Sequence, residues 1–183
     1  MRTLPVVLMG PMASGKSTVA GEIAKLIQVP RVPMDRLRWY YYFSEGYSLE
    51  QDEACGSFTE RMHYWKPFEL SAVKRILAEF PNSVIDFGAG HSYYPDAAQF
   101  EIAKKLLSAL PNVFLILPSE DKEESIRICN ERLKVRDGGD AKPDEVNRWF
   151  IEHPSNSLLS KHVIYNKDES PAKTARRIVD LLK

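Results

Sequence analysis

One stretch near the amino end limits what this chain can fold into: Leu4-Pro5-Val6-Val7-Leu8-Met9-Gly10-Pro11-Met12-Ala13-Ser14-Gly15-Lys16-Ser17-Thr18. An apolar run stops at a glycine, four residues intervene, and Gly15-Lys16-Ser17 follows. That is the G-x-x-x-x-G-K-[ST] pattern of a phosphate-binding loop, which has meaning only between a strand and a helix. Both flanks comply. Val6 to Met9 is apolar and partly β-branched, and Val19, Ile23, Leu26 and Ile27 recur at helical spacing. Gly10 and Gly15 permit backbone angles that a Cβ resists, so the loop amides can turn inward onto phosphate oxygens at the positive end of the next helix. Lys16 then reaches the outer phosphates as a point charge, and Ser17 offers a hydroxyl to Mg²⁺. The whole run from Gly10 to Thr18 is expected to hold ATP. A glycine-rich turn with a surface lysine, the bland alternative, leaves Gly-Lys-Ser-Thr at a helix start unexplained.

At 183 residues the chain fits one domain with a real core. Its formal net charge is zero, which argues against broad attraction to nucleic acid or an anionic membrane. Cys55 and Cys129 stand far apart without metal-ligand spacing, as in a reduced intracellular protein. No signal-peptide pattern opens the sequence, and no apolar stretch is long enough for a bilayer. The expectation is a cytoplasmic monomer or weak homodimer with no nucleic-acid or membrane partner.

Strand and helix patterns alternate along the chain. The first helix ends near Gln28, and Arg31 to Met34 reads as a second strand ending at Asp35. Residues 36–66 begin with the aromatic run Trp39-Tyr40-Tyr41-Tyr42-Phe43 and read as a small helical, partly mobile substrate subdomain. A helix from Pro67 to Phe80 follows, then a strand Ser83–Asp86 and the turn Phe87-Gly88-Ala89-Gly90-His91. Next come a helix over 95–110, a fully apolar strand Val113–Leu117, and a helix capped by Ser119 that runs to about Leu133. Residues 134–143, with Gly138-Gly139, read as a mobile loop and 144–153 as a short helix; together, 132–144 form a lid. His162–Tyr165 is the last strand, and Ser170-Pro171 opens the last helix. The sum is a three-layer α/β/α fold around a five-stranded parallel sheet, whose ligands bind at the carboxyl ends of the strands.

With these residues in place, the chain resembles the nucleoside-monophosphate-kinase-like P-loop enzymes, and within them the shikimate kinases and relatives. The resemblance covers most of the chain, although only the Gly10–Thr18 loop is a specific motif. It implies an ATP- and Mg²⁺-dependent kinase that moves the γ-phosphoryl group to a hydroxyl of a small anionic metabolite. Asp35 stands where the family keeps an acceptor-binding aspartate that takes the proton. Lys66 and Glu69, in Trp65-Lys66-Pro67-Phe68-Glu69, fall on the family's aromatic-Arg-x-x-Glu. Gly88-Ala89-Gly90 falls on three family glycines at the acceptor. Arg132 and Arg136 lie at the lid position, and Arg148 beyond it matches a later arginine on the acceptor's carboxylate. The chain departs from the family in four places. Met34-Asp35 stands for Asp-x-Asp, and Lys66 lacks the planar fork of arginine. Asp86 precedes the glycines, and Arg136-Asp137 replaces Arg-Pro.

Each candidate has a plainer alternative. Asp35 either orients the acceptor or caps a helix. Asp86 either helps hold Mg²⁺ or bonds loop amides. Arg132 and Arg136, four apart, either swing onto the transferring group or form a solvated helix end. Arg38, Lys66 and Arg148 are candidate cations for an anionic acceptor, or surface charges. His91 touches substrate or is structural. The aromatic run either stacks on a ring or fills the subdomain. Residues 166–171 lie where related folds wrap adenine. A second reading of the whole chain is a nucleotide-binding regulatory module without a small-molecule acceptor; sugar, nucleotide or antibiotic kinases are further alternatives.

Overall fold

In a computed structural model, which describes residues 4–137 and 145–183, strand β1 (Val6–Met9) is buried along its whole length. Its side chains divide between two layers, as the twofold repeat of a strand requires. Val7 and Met9 point into one apolar cluster, Val6 and Leu8 into another. Both faces of the sheet are therefore covered, which explains why β1 and β4 (Val113–Leu117) read as unbroken apolar runs.

The remaining strands are β2 (Arg31–Pro33), β3 (Val84–Asp86) and β5 (His162–Tyr165), and the order across the sheet is β2-β3-β1-β4-β5. Every pairing is parallel, with Val7 opposite Ile85 on one side and Leu8 opposite Phe114 on the other. The helices are α1 (Lys16–Ile27), α2 (Met34–Ser44), α3 (Leu49–Glu53), α4 (Phe58–Glu79), α5 (Ala97–Ser108), α6 (Lys122–Asp137), α7 (Glu145–Glu152), α8 (Ser155–Leu159) and α9 (Pro171–Leu181). Val19 and Ile23 of α1 meet Ala175 and Ile178 of α9 on one face. The other face carries Ala72, Val73 and Ile76 of α4, Ala103 and Leu107 of α5, and Tyr41 and Tyr42 of α2. Among the described residues no helix is long and apolar enough to cross a membrane.

Three local differences from the sequence reading have physical causes. β2 stops at Pro33 and α2 begins at Met34, so Asp35 sits in the first turn of a helix, where a carboxylate is favoured by the dipole. α4 starts at Phe58 rather than Pro67, because Ser57 accepts from the Glu60 amide and so caps it. Pro67 stays inside that helix on an exposed position. The cap of α6 is Asp121, which accepts from the Glu124 amide at 2.7 Å, while Ser119 sits just before it. The turn after Pro154 is the short helix α8. Most of the expected loop, residues 138–144, lies outside the described residues, and residues 134–137 continue α6.

Candidate active site

The loop leaving β1 takes the shape its glycines foretell. Gly10 has φ +146° and Gly15 φ +93°, both open to glycine and strained for other residues. Gly10 also runs so close to β4 that a Cβ would stand 2.5 Å from the carbonyl oxygen of Ile116. Ala13 is left-handed as well, at φ 59°. Such a backbone costs a non-glycine residue about 1–2 kcal/mol, so neighbours must hold it. Two asparagines do. Asn147 of α7 accepts from the Met12 amide at 2.9 Å, and Asn166 donates to the Ser14 carbonyl at 3.0 Å. Asn147 also donates to Asn130 of α6 at 2.9 Å. The amide of Met12 is thus tied to the helices on either side of residues 138–144.

Lys16 opens α1 and is buried, and its ammonium donates to the Pro11 carbonyl at 2.9 Å. Burial pulls its pKa down, and the negative charges of Asp35 and then Asp86 push it back up. Ser17 and Thr18, one step on, are exposed toward the same space.

That space is a cavity of about 670 Å³, within the range of small-molecule sites. Its floor is the loop, and Asn166, Glu169 and Thr174 close the end beyond β5. Asp35 and Arg38 of α2 face it from across the sheet, with 3.8 Å between Arg38 Nη1 and Asp35 Oδ1. Lys66 and Glu69 of α4 also line it, together with Ala89 and Gly90. Arg132 and Arg136 line it from α6, whose extension to Asp137 keeps both on one face. Arg136 also grips Asp137 at 2.6 Å.

The turn between Gly88 and Gly90 is where carboxylates crowd the backbone. A Cβ on Gly88 would collide with Asp35 Oδ1, and one on Gly90 with Glu69 Oε1. The glycines are there for close approach, since Gly88 has an ordinary φ of −63°. Lys66 and Glu69 are each only 3% exposed and form a buried ion pair; Lys66 also donates to the Gly90 carbonyl at 2.8 Å. His91 is buried behind the turn, with Nε2 at 3.3 Å from the Tyr42 hydroxyl, and burial lowers its pKa. It does not line the cavity, so its place is structural.

Two expectations fail. Asp86 was expected to help hold Mg²⁺. Instead both of its oxygens accept from Arg31, at 2.8 and 2.9 Å, in a bidentate pair, and it does not line the cavity. Arg148 was expected on an anionic acceptor. It lies outside the cavity, held by Glu123 at 2.6 Å and Glu152 at 2.7 Å. The aromatic run divides: Tyr41 and Tyr42 enter the core, while Tyr40 and Phe43 are largely exposed. Trp39 packs edge-on against Trp65. Sequence reasoning missed Asn147 altogether and assigned no side-chain role to Asn166.

The cavity fits a nucleotide with a divalent ion. The loop presents a cradle that side chains would fill, and Asn166 Oδ1 is buried there without a hydrogen-bond partner among the described residues. Ser17 supplies one hard oxygen. Among the described residues no cluster of three or more His, Cys, Asp or Glu could form a metal cage.

No protein-family model matches the chain, and no curated protein matches it. Solved structures do. A shikimate kinase from Acinetobacter baumannii, in complex with shikimate, is 18% identical with a TM-score of 0.68, over 98% of this chain and 93% of its own. A gluconokinase from Sinorhizobium meliloti is 18% identical with a TM-score of 0.56, over 98% and 92%. The APS kinase CysC of Mycobacterium tuberculosis, in complex with AMPPNP and APS, is 18% identical with a TM-score of 0.50, over 99% and 98%. The chain thus has the three-layer fold of the P-loop small-molecule kinases over nearly its full length.

Proposed function

We propose that this chain is an ATP-dependent kinase that transfers the γ-phosphoryl group to a hydroxyl of a small molecule, an anion with at most one charge. The observation that carries the reading is that Lys16 and Asp35 line one cavity. A phosphate grip and a proton acceptor sharing one space is what phosphoryl transfer to a hydroxyl needs. The fold shared with shikimate kinase, gluconokinase and APS kinase supports it.

Each residue then has a role. The loop amides from Gly10 to Thr18 and the Lys16 ammonium hold the β- and γ-phosphates. Ser17 offers its hydroxyl to Mg²⁺. Asp35 accepts the proton of the acceptor hydroxyl, whose oxygen forms the new O–P bond as the bond to the bridging oxygen of ADP breaks. Arg132 and Arg136 neutralise the charge that gathers on the phosphoryl oxygens, the largest contribution in such transfers. Bound Mg-ATP supplies the transferable group. Arg38, 3.8 Å from Asp35, would meet the acceptor's negative group. Among the described residues Arg148 is engaged elsewhere and Lys66 is paired with Glu69, which leaves Arg38 as the cation assigned to the acceptor.

The test is ADP release by the purified chain with Mg-ATP across hydroxy acids, sugars, nucleosides and aromatic alcohols. Release with one class is expected. Lys16→Ala removes it, and Asp35→Asn lowers kcat by about 10²-fold or more. Flat release across the panel, or full turnover by Lys16→Ala, rejects the reading.

A further inference from the structure

We infer that the acceptor is an alcohol carried on a flat aromatic or heteroaromatic body; this rests on the kinase reading above and narrows it. Beyond the loop, the cavity has an apolar wall beside its charged groups. Phe58, Met62 and Trp65 of α4 line it, with Ala89 of the glycine turn and Phe150 of α7. Met62, Ala89 and Phe150 form one apolar cluster, and Met12 and Phe58 pack against it. The rings of Phe58 and Trp65 meet edge to face, 6.5 Å apart at 87°, so a flat body can lie on one ring while the other closes its rim.

Two of the charged groups beside this wall are already occupied with one another. Lys66 pairs with Glu69 and donates to the Gly90 carbonyl. A polyol placed here keeps one hydroxyl on Asp35 and exchanges water for carbon at each of the others, which is unfavourable wherever no partner replaces the water. An aromatic face loses no hydrogen bond on the same transfer. Arg38 fits this picture. Its guanidinium lies 4.5 Å from the Trp39 ring centre and 5.2 Å from that of Trp65, and its Nε is buried without a hydrogen-bond partner among the described residues. An anionic substituent on an aromatic body would find that donor at the edge of the indole surface. Asp35, Arg38, Lys66 and Glu69 balance in sign, so beside Arg38 the apolar wall sets what body the ligand carries.

The experiment measures binding to the full chain saturated with Mg-AMPPNP, by calorimetry and by tryptophan fluorescence. The probes are benzyl alcohol, 3-pyridinemethanol and 4-(hydroxymethyl)benzoate against shikimate and gluconate. At least one aryl alcohol is expected to bind about tenfold or more tightly than either polyhydroxy acid, the scale on which pocket complementarity discriminates. Phe58→Ser is expected to weaken that alcohol about tenfold. AMPPNP affinity, read in parallel, shows that the variant is folded. The inference is overturned if the polyhydroxy acids bind as tightly as the aryl alcohols, or if no aryl alcohol binds below about 10 mM while AMPPNP does. An aryl alcohol that binds but gains no phosphate from ATP upholds the acceptor class and sinks the transfer. Phosphate transfer confined to a polyhydroxy acid does the reverse.

Discussion

Lys66 and Glu69 offer the sharpest test of the site's energetics. Each is 3% exposed, and each is the other's ionic partner. Removing water from two charges is costly, so a buried pair adds little net stability, whereas one charge left alone there is strongly destabilising. Lys66→Met strands the Glu69 carboxylate among Gly90, Tyr42 and Tyr94, and should cost about 3–5 kcal/mol. In a domain of this size that is a fall in melting temperature of about 6–20 °C. Lys66→Met combined with Glu69→Gln removes both charges. What remains lost is the bond to the Gly90 carbonyl, about 1 kcal/mol, so the double variant should recover most of the deficit. Urea unfolding of the four proteins of the cycle measures the coupling, expected to exceed about 2 kcal/mol. If the double variant is as unstable as the sum of the singles, or Lys66→Met loses under about 1 kcal/mol, the pair is not the buried, mutually dependent unit described here.

Three further outcomes follow from the geometry. Arg148→Ala leaves kcat/KM within about twofold of the parent, because its guanidinium is engaged by Glu123 and Glu152; a large rise in KM for the acceptor would return it to the site. Asp86→Ala lowers the melting temperature by stranding Arg31, while the Mg²⁺ concentration at half-maximal ADP release stays unchanged; a marked rise in that concentration would restore its metal role. Burial pushes the Cys129 thiol up to about 11, so its thiolate is scarce at pH 8 and grows only as pH climbs toward that value. A thiol-disulfide reagent at pH 8 should therefore titrate the partly exposed Cys55 quickly and Cys129 only on unfolding; two equally fast thiols would contradict it.

What could be read from the sequence was what is local. The Gly10–Thr18 loop is written in one stretch because its geometry depends on its own glycines and on the strand and helix that flank it. Alternation of strands and helices gave the sheet and its layers in the same way. The start of α4 was also present, as Ser57-Phe58-Thr59-Glu60, a capping pattern that Pro67 obscured; a proline on an exposed turn leaves such a helix intact here. The site's supports were not legible. Asn147 reaches Met12 across 135 positions and Asn166 reaches Ser14 across 152, and no periodicity carries such a pairing. Arg148 and Asp86 were misplaced for the opposite reason. Their charges and positions suited a ligand, but Glu123, Glu152 and Arg31 claim them through contacts that only the fold creates.

The packing of α9 on α1 has a consequence for synthesis. Residues near position 10 leave the ribosome before Ala175 and Ile178, which cover the first helix, and Asn166, which steadies Ser14, more than 150 residues on. A nascent chain therefore carries the phosphate signature long before it owns a finished grip. A nucleotide that needs Asn166 in place would stabilise only chains in which α9 has already docked on α1.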